Sequence, residues 1–185
     1  MAETVERTYR PMLEAVAFAA RAHRGQLRKD RETPYASHVF RVCLVVRHVF
    51  GIDNPHVLTA AALHDTVEDT TTDFDDLAEQ FGVEVAGWVA MLSKDKRKPE
   101  GEREHDYVEQ LVKAPWQVKV CKLADVFDNL MDTIHLRPEQ RARTLRNSHR
   151  YLDALAIDLS EPARRPWEIV CRLLADMEMH QKEAR

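Results

Sequence analysis

From Pro55 to Leu63 the chain reads PHVLTAAAL, and the next six residues are HDTVED. A helix over the first segment carries apolar side chains on nearly every side, the mark of a helix buried all round rather than lying on a surface. Such a helix has to be wrapped by other elements, and the rest of the chain offers helices. Pro11 opens a first one, with Leu13, Val16, Ala17 and Ala20 at helical spacing, which ends near His23 to Gln26. After a polar loop, RKDRET, Pro34 introduces a second helix carrying Val39, Val42, Cys43, Val46 and Val49 and stopped by Gly51. Asn54-Pro55 is an N-cap followed by a first-turn proline, and the third helix runs from there into the acidic segment. Thr72 and Asp75 have capping-box spacing ahead of a short helix that Gly82 ends. Helices at 83–92 and 105–113 flank a charged loop at 94–104, and Pro115 opens a long helix to about Ile134. Pro138 and Pro166 open the last two. Strand-like alternation is weak throughout, and only 5 glycines argue against a loop-rich or all-β chain. The expectation is a compact all-α bundle of about eight to ten helices, a single domain over residues 1–185.

Charge and cysteines narrow the function classes. A net charge of −4 gives no global reason to expect a nucleic-acid binder. No stretch approaches the ~18 apolar residues of a membrane span, and the charged opening MAETVERTYR lacks the apolar segment of a signal peptide. Cys43, Cys121 and Cys171 are odd in number, far apart and set among apolar residues, which reads as buried reduced thiols in a cytoplasmic protein.

At about 100° per residue, His64, Asp65, Glu68 and Asp69 share one side of the third helix. Like charges driven into an apolar core are costly unless a cation compensates them, and a divalent metal does so economically. A frayed, solvated helix end is the alternative on spacing alone, although acids there oppose the helix dipole. A second selective pattern lies in KLADVFDNL at 122–130, where Lys122, Asp125 and Asn129 share a face opposite Val120, Leu123, Phe127, Leu130 and Ile134. A third candidate is His38, in the first turn of the second helix. Two imidazoles and two carboxylates, His38, His64, Asp65 and Asp125, suit a transition-type divalent ion such as Mn²⁺.

The order H…HD…D, together with RKDRETPYASH (28–38), ALHDTVEDT (62–70) and KLADVFDNL (122–130), resembles the HD-domain alarmone hydrolases. These comprise the hydrolase domain of RelA/SpoT proteins and free-standing forms similar to the metazoan SpoT homologue. The resemblance spans roughly residues 10 to 160. It implies an all-helical enzyme with one Mn²⁺ that removes the 3′-pyrophosphate of ppGpp or pppGpp. It further implies metal ligation by His38, His64, Asp65 and Asp125, with Glu68 and Asp69 handling the attacking water. Arg28 and Lys29 would border the nucleobase, Asn129 the ribose, Tyr151 the nucleotide and Lys96 the pyrophosphate. The implied partner is a small nucleotide, with neither nucleic acid nor membrane, and the chain is equally compatible with monomer and homodimer.

Three positions depart from the family pattern: Val126 replaces a basic residue, Asp128 an aromatic or histidine, and Met131 a basic residue. Two positive positions near the polyphosphate are thereby lost, which leaves an adenine counterpart such as pppApp as an alternative substrate. Arg137, Arg141, Arg143, Arg146 and Arg150 stud the helix after Pro138, either as a solvated cationic face or with one or two reaching the 5′-phosphates. Two rival readings are an HD phosphohydrolase for another nucleotide and a catalytically silent nucleotide-binding module.

Overall fold

The computed structural model describes the backbone of residues 2–183 and the side chains of residues 6–180; Met1 of the opening segment lies outside it. The described residues form ten α-helical segments and no strand. These are α1 (Ala2–Ala22), α2 (Ala36–Leu44), α3 (Pro55–Leu63), α4 (Thr66–Asp69), α5 (Phe74–Phe81), α6 (Val83–Leu92), α7 (Glu100–Val112), α8 (Trp116–Met131), α9 (Pro138–Ala156) and α10 (Glu161–Glu183). A π turn, Val45–Val49, continues α2, and a 3₁₀ turn, Asp132–His135, continues α8. None of the helices is long and apolar enough to cross a membrane.

The segment that sets the fold is α3. All seven residues from Val57 to Leu63 are buried, and α1, α2, α6 and α8 pack around them. Ala60, Ala61 and Ala62 meet a neighbour, α1, that buries Ala15 and Ala19, so small side chains on both helices let the axes approach closely. The second central helix is α8, buried from Val118 to Val126 and packed against α2, α6, α9 and α10. Its Lys–Asp–Asn face, amphipathic in the sequence, is turned into the fold, with Lys122 and Asp125 buried at the edge of a cleft.

Several boundaries differ from the expectations, each because a long-range contact outweighs a local signal. Helix α1 passes through Pro11 instead of starting there. The proline forfeits one backbone bond, but the turn before it is held by Tyr9, whose hydroxyl donates to Asp53 at the α2–α3 connection. Helix α10 likewise begins at Glu161, five residues before Pro166. The amides of Ala163 and Arg164 bond back to the Ser160 carbonyl, and Trp167 donates to the Leu152 carbonyl on α9. The capping box falls on Asp73 and Asp76 rather than Thr72 and Asp75. Helix α7 starts at Glu100, which shortens the charged loop. The third helix stops at Leu63 and resumes at Thr66, so HDTVED lies across a break.

The Asn54 cap is realised as read. Its side chain accepts from the amides of His56 and Val57, with Pro55 in the first turn. Gly51 and Gly82 end their helices with φ of +74° and +88°, conformations that side chains strain to adopt.

Burial ranks two substitutions. Asn54→Ala removes a cap on a partly exposed turn and should cost about 1 kcal/mol. Leu63→Ala empties a fully buried site beside His64 and should cost about 2–5 kcal/mol. Urea unfolding of both variants measures the difference; equal losses would contradict the central place of α3.

Candidate metal centre

The break between α3 and α4 turns two neighbouring residues toward one point. His64 keeps helical angles (φ −53°, ψ −32°) while Asp65 shifts to φ −104°, ψ −2°. From α2, His38 points down to the same place, and Asp125 reaches it from the middle of α8. The His38 and His64 Nε2 atoms lie 3.3 Å apart. Asp65 Oδ2 is 3.0 Å from His64 Nε2 and 3.5 Å from His38 Nε2. Asp125 Oδ1 is 3.3 Å from His38 Nε2 and 3.9 Å from His64 Nε2.

Donor atoms bound side by side to an ion at about 2.1 Å lie about 3 Å apart, so His38, His64 and Asp65 form a compact set that could hold a divalent cation, with Asp125 Oδ1 next to it, 3.3 and 3.9 Å from the two imidazoles. The charge of such a cation would match the two carboxylates. The His64 ring is oriented for that role, since its Nδ1 bonds the Ala61 carbonyl and leaves Nε2 toward the cluster. His38 is held comparably: its Nδ1 is 2.6 Å from Asp128 Oδ2.

The surroundings tune these groups. Burial opposes charge on His38, but hydrogen bonds to Asp125, Asp128 and Asp65 outweigh it and push the imidazole up to about 10. His64 is also raised: burial opposes its charge, and the neighbouring Asp65 carboxylate more than offsets that. Burial disfavours the Asp125 carboxylate, yet the Lys122 ammonium 2.7 Å from its Oδ2 holds it well below the usual carboxylate range. Asn129 Nδ2 donates to Asp125 Oδ1 at 2.5 Å, and the Tyr35 hydroxyl donates to Asp65 Oδ2 at 2.5 Å.

Above the four donors opens a cleft of about 230 Å³, lined among others by Lys29, Glu68, Lys94, Lys122, Asn129 and Tyr151. His38 lies beneath its floor, wholly buried. Glu68 and Asp69, on α4, stand at one side. Burial raises the Glu68 carboxyl, partly countered by the Lys94 amide, which donates to its Oε2 at 2.9 Å. Asp69 pairs with Lys96.

The other predicted binding residues are distributed unevenly. Lys29 stands exposed on the cleft wall. Arg28 is buried away from the lining and gives its guanidinium to Asp132 (2.9 and 2.7 Å) and to Asn129 Oδ1 (3.3 Å). Lys96 is outside the lining residues. The Tyr151 hydroxyl donates to Glu104 (2.8 Å) and accepts from Lys94 Nζ (2.8 Å). Of the three departures from the family pattern, only Val126 lines the cleft. Met131 is exposed elsewhere, and Asp128 is buried under His38. Arg143, Arg146 and Arg150 line a neighbouring cleft between α7 and α9, where Arg143 pairs with Glu100 and Arg150 with Glu104.

Sequence reasoning overlooked Lys94 and Tyr35. The Lys94 ammonium pairs with Glu104 at 2.7 Å and lies 5.0 and 5.3 Å from the ring centres of Tyr107 and Tyr151. Lys122 shares the same two rings, at 5.2 and 4.5 Å. Lys94 sits in a loop of alternating charges with no periodicity to mark it. Tyr35 had a signal, its place three residues before His38, but its contact with Asp65 spans 30 residues of sequence.

Comparison with known proteins places the chain in a family. The HD domain family pattern matches residues 15–154. A Homo sapiens protein named guanosine-3′,5′-bis(diphosphate) 3′-pyrophosphohydrolase MESH1 is 45% identical over 129 residues, covering 69% of this chain and 72% of its own. The Danio rerio protein of that name is 44% identical over the same coverage. A solved structure described as a metazoan orthologue of SpoT that hydrolyses ppGpp and plays a role in starvation responses superimposes with a TM-score of 0.77. Its identity is 33%, over 88% of this chain and 94% of the other. The chain belongs to the HD domain family.

Proposed function

We propose that this protein is a metal-dependent hydrolase that removes the 3′-pyrophosphate from ppGpp and pppGpp, giving GDP or GTP and pyrophosphate. The observation that carries the reading is the cluster of His38, His64 and Asp65, with Asp125 beside it, at the bottom of a cleft that Lys94, Lys122 and Glu68 also line. The names of the relatives support the substrate class. His38, His64, Asp65 and Asp125 hold one divalent ion, Mn²⁺ in this proposal. Bound there, the ion supplies Lewis acidity toward a phosphoryl oxygen and lowers the pKa of water.

The side chains do the rest. Glu68, its carboxyl raised by burial, takes a proton from the attacking water, and Asp69 helps orient that water. Lys94 and Lys122 meet the charge that develops on the departing pyrophosphate. Both ammonium groups are braced by the rings of Tyr107 and Tyr151, so little reorganisation is needed. Asn129 faces the ribose, Tyr151 the nucleotide and Lys29 the base. Arg28 acts through Asn129, whose amide oxygen it holds. Lys96 guides the pyrophosphate from the rim, through its pairing with Asp69. The reading includes a cytoplasmic location, in keeping with three unpaired thiols.

A second substrate, ppApp or pppApp, is favoured by one observation: Val126 gives the cleft an apolar wall where the family pattern carries a basic residue.

Three measurements test this. Chromatography of ppGpp, pppGpp, ppApp and pppApp incubated with Mn²⁺ should show pyrophosphate as the product. Orthophosphate or tripolyphosphate instead would sink the reading, and binding without turnover at any metal would favour a silent module. Glu68→Gln should lower kcat by about 10²- to 10⁴-fold with Mn²⁺ affinity unchanged; a parallel loss of affinity would reassign Glu68 to the metal. Finally, because the His38 shift is upward, its imidazole is charged at neutral pH in the metal-free protein. Mn²⁺ must displace that proton, so affinity should fall as pH falls, about tenfold per pH unit for each proton released. Titration calorimetry in buffers of different ionisation enthalpy reads the release directly, and a buffer-independent heat would refute it.

A further inference from the structure

Asp128 departs from the family pattern that the sequence resembles, and the structure buries it with 2% of its surface exposed. A buried carboxylate needs partners, and this one has them on α2. Its Oδ2 is 2.6 Å from His38 Nδ1, and its Oδ1 is 2.6 Å from Arg41 Nε. Arg28 Nη2 is 3.7 Å away. One turn further along the chain, Asp132 takes the remaining arginine donors, from Arg41 Nη1 at 3.0 Å and from Arg28. The two acids thus share both arginines, but Asp128 alone touches the histidine.

We propose that Asp128 is a positioning residue that acts through His38, fixing the ring so that Nδ1 keeps its proton and Nε2 presents its lone pair to the metal. The inference rests on the metal-centre reading above. Its basis is the rule that a ligating imidazole is oriented, and made more basic, by a carboxylate on its far nitrogen. The two ligating histidines are held differently: His64 by the neutral Ala61 carbonyl, His38 by a full negative charge. His38 is then the stronger donor of the pair, and α2 is tied to α8 through the same contact.

Asp128→Asn separates this role from packing, because it keeps the shape and changes the donors. An amide has one oxygen and one NH₂ group. With its oxygen on Arg41, its NH₂ faces His38 Nδ1 and drives the ring proton to Nε2, the nitrogen the metal needs. Asp132→Asn disturbs the same arginines without touching the histidine. Calorimetric titration of the full chain with Mn²⁺ should show Asp128→Asn binding about 10- to 100-fold more weakly and Asp132→Asn binding like the parent. In the Zn²⁺-loaded parent, the ¹⁵N spectrum of His38 should show a protonated Nδ1.

Unchanged affinity in Asp128→Asn would overturn the proposal, as would an equal loss in both variants, which would make the network merely structural. Should Asp128→Asn fail to fold, the parent spectrum decides: an unprotonated Nδ1 overturns the role and a protonated one upholds it. If the parent takes up neither Mn²⁺ nor Zn²⁺, the metal-centre reading itself falls, and the role of Asp128 with it.

Discussion

At the centre of this helical bundle, donor atoms of His38, His64 and Asp65 lie 3.0–3.5 Å apart, with Asp125 3.3 and 3.9 Å from the two imidazoles. Moving one carboxylate out of water costs several kcal/mol even after the protein relaxes. The cost explains what surrounds the cluster. Lys122 and Asn129 serve Asp125, and Tyr35 serves Asp65. Lys122 is itself a buried charge, and it lies against the faces of Tyr107 and Tyr151, where the ring quadrupoles replace part of its lost hydration. Tyr151 in turn donates a hydrogen bond to Glu104, which also pairs with Lys94. Each polar group introduced to tolerate one charge brings its own requirement, and the sequence of requirements ends only at the rim of the cleft.

The apolar residues are the other half of that arrangement. Val57–Leu63 and the buried face of α8 are packed so that the donors cannot relax apart. Asp65 and Asp125 come from different helices, and their approach depends on the α3–α8 contact. A cavity opened in that contact would loosen the cluster as well as lower stability, so function and folding draw on the same side chains.

Much of this was legible in the residues. All-helical architecture follows from periodicity and from the scarcity of glycine, and the Asn54-Pro55 cap was readable because it is satisfied within three residues. Pro11 and Pro166 misled because their effect on helix boundaries was decided by Tyr9 with Asp53 and by Trp167 with Leu152. The capping box slipped by one residue because Thr72-Asp75 and Asp73-Asp76 are near-equivalent patterns, separable only by backbone geometry. At the site, residue type marked the groups that face the metal point, while spacing could not say which acids face elsewhere. Asp128 looked from the sequence like an unwelcome charge near a polyphosphate. It instead points away from the cleft, because Arg41, one turn after His38 on α2, offers it a partner. Lys94 was invisible among its charged neighbours since only the fold brings Glu104 and two tyrosine rings to it.

The interruption at His64 and Asp65 has a consequence of its own. On an unbroken helix, adjacent side chains diverge by about 100°. Stopping α3 at Leu63 sets two candidate donors side by side, joined by a single peptide unit held against a buried helix end. Much of the entropy that an ion would otherwise have to overcome in gathering these two donors is therefore already settled when the chain folds. What looks in the backbone like an imperfection of the central helix is, on the proposed reading, half of a metal site arranged in advance.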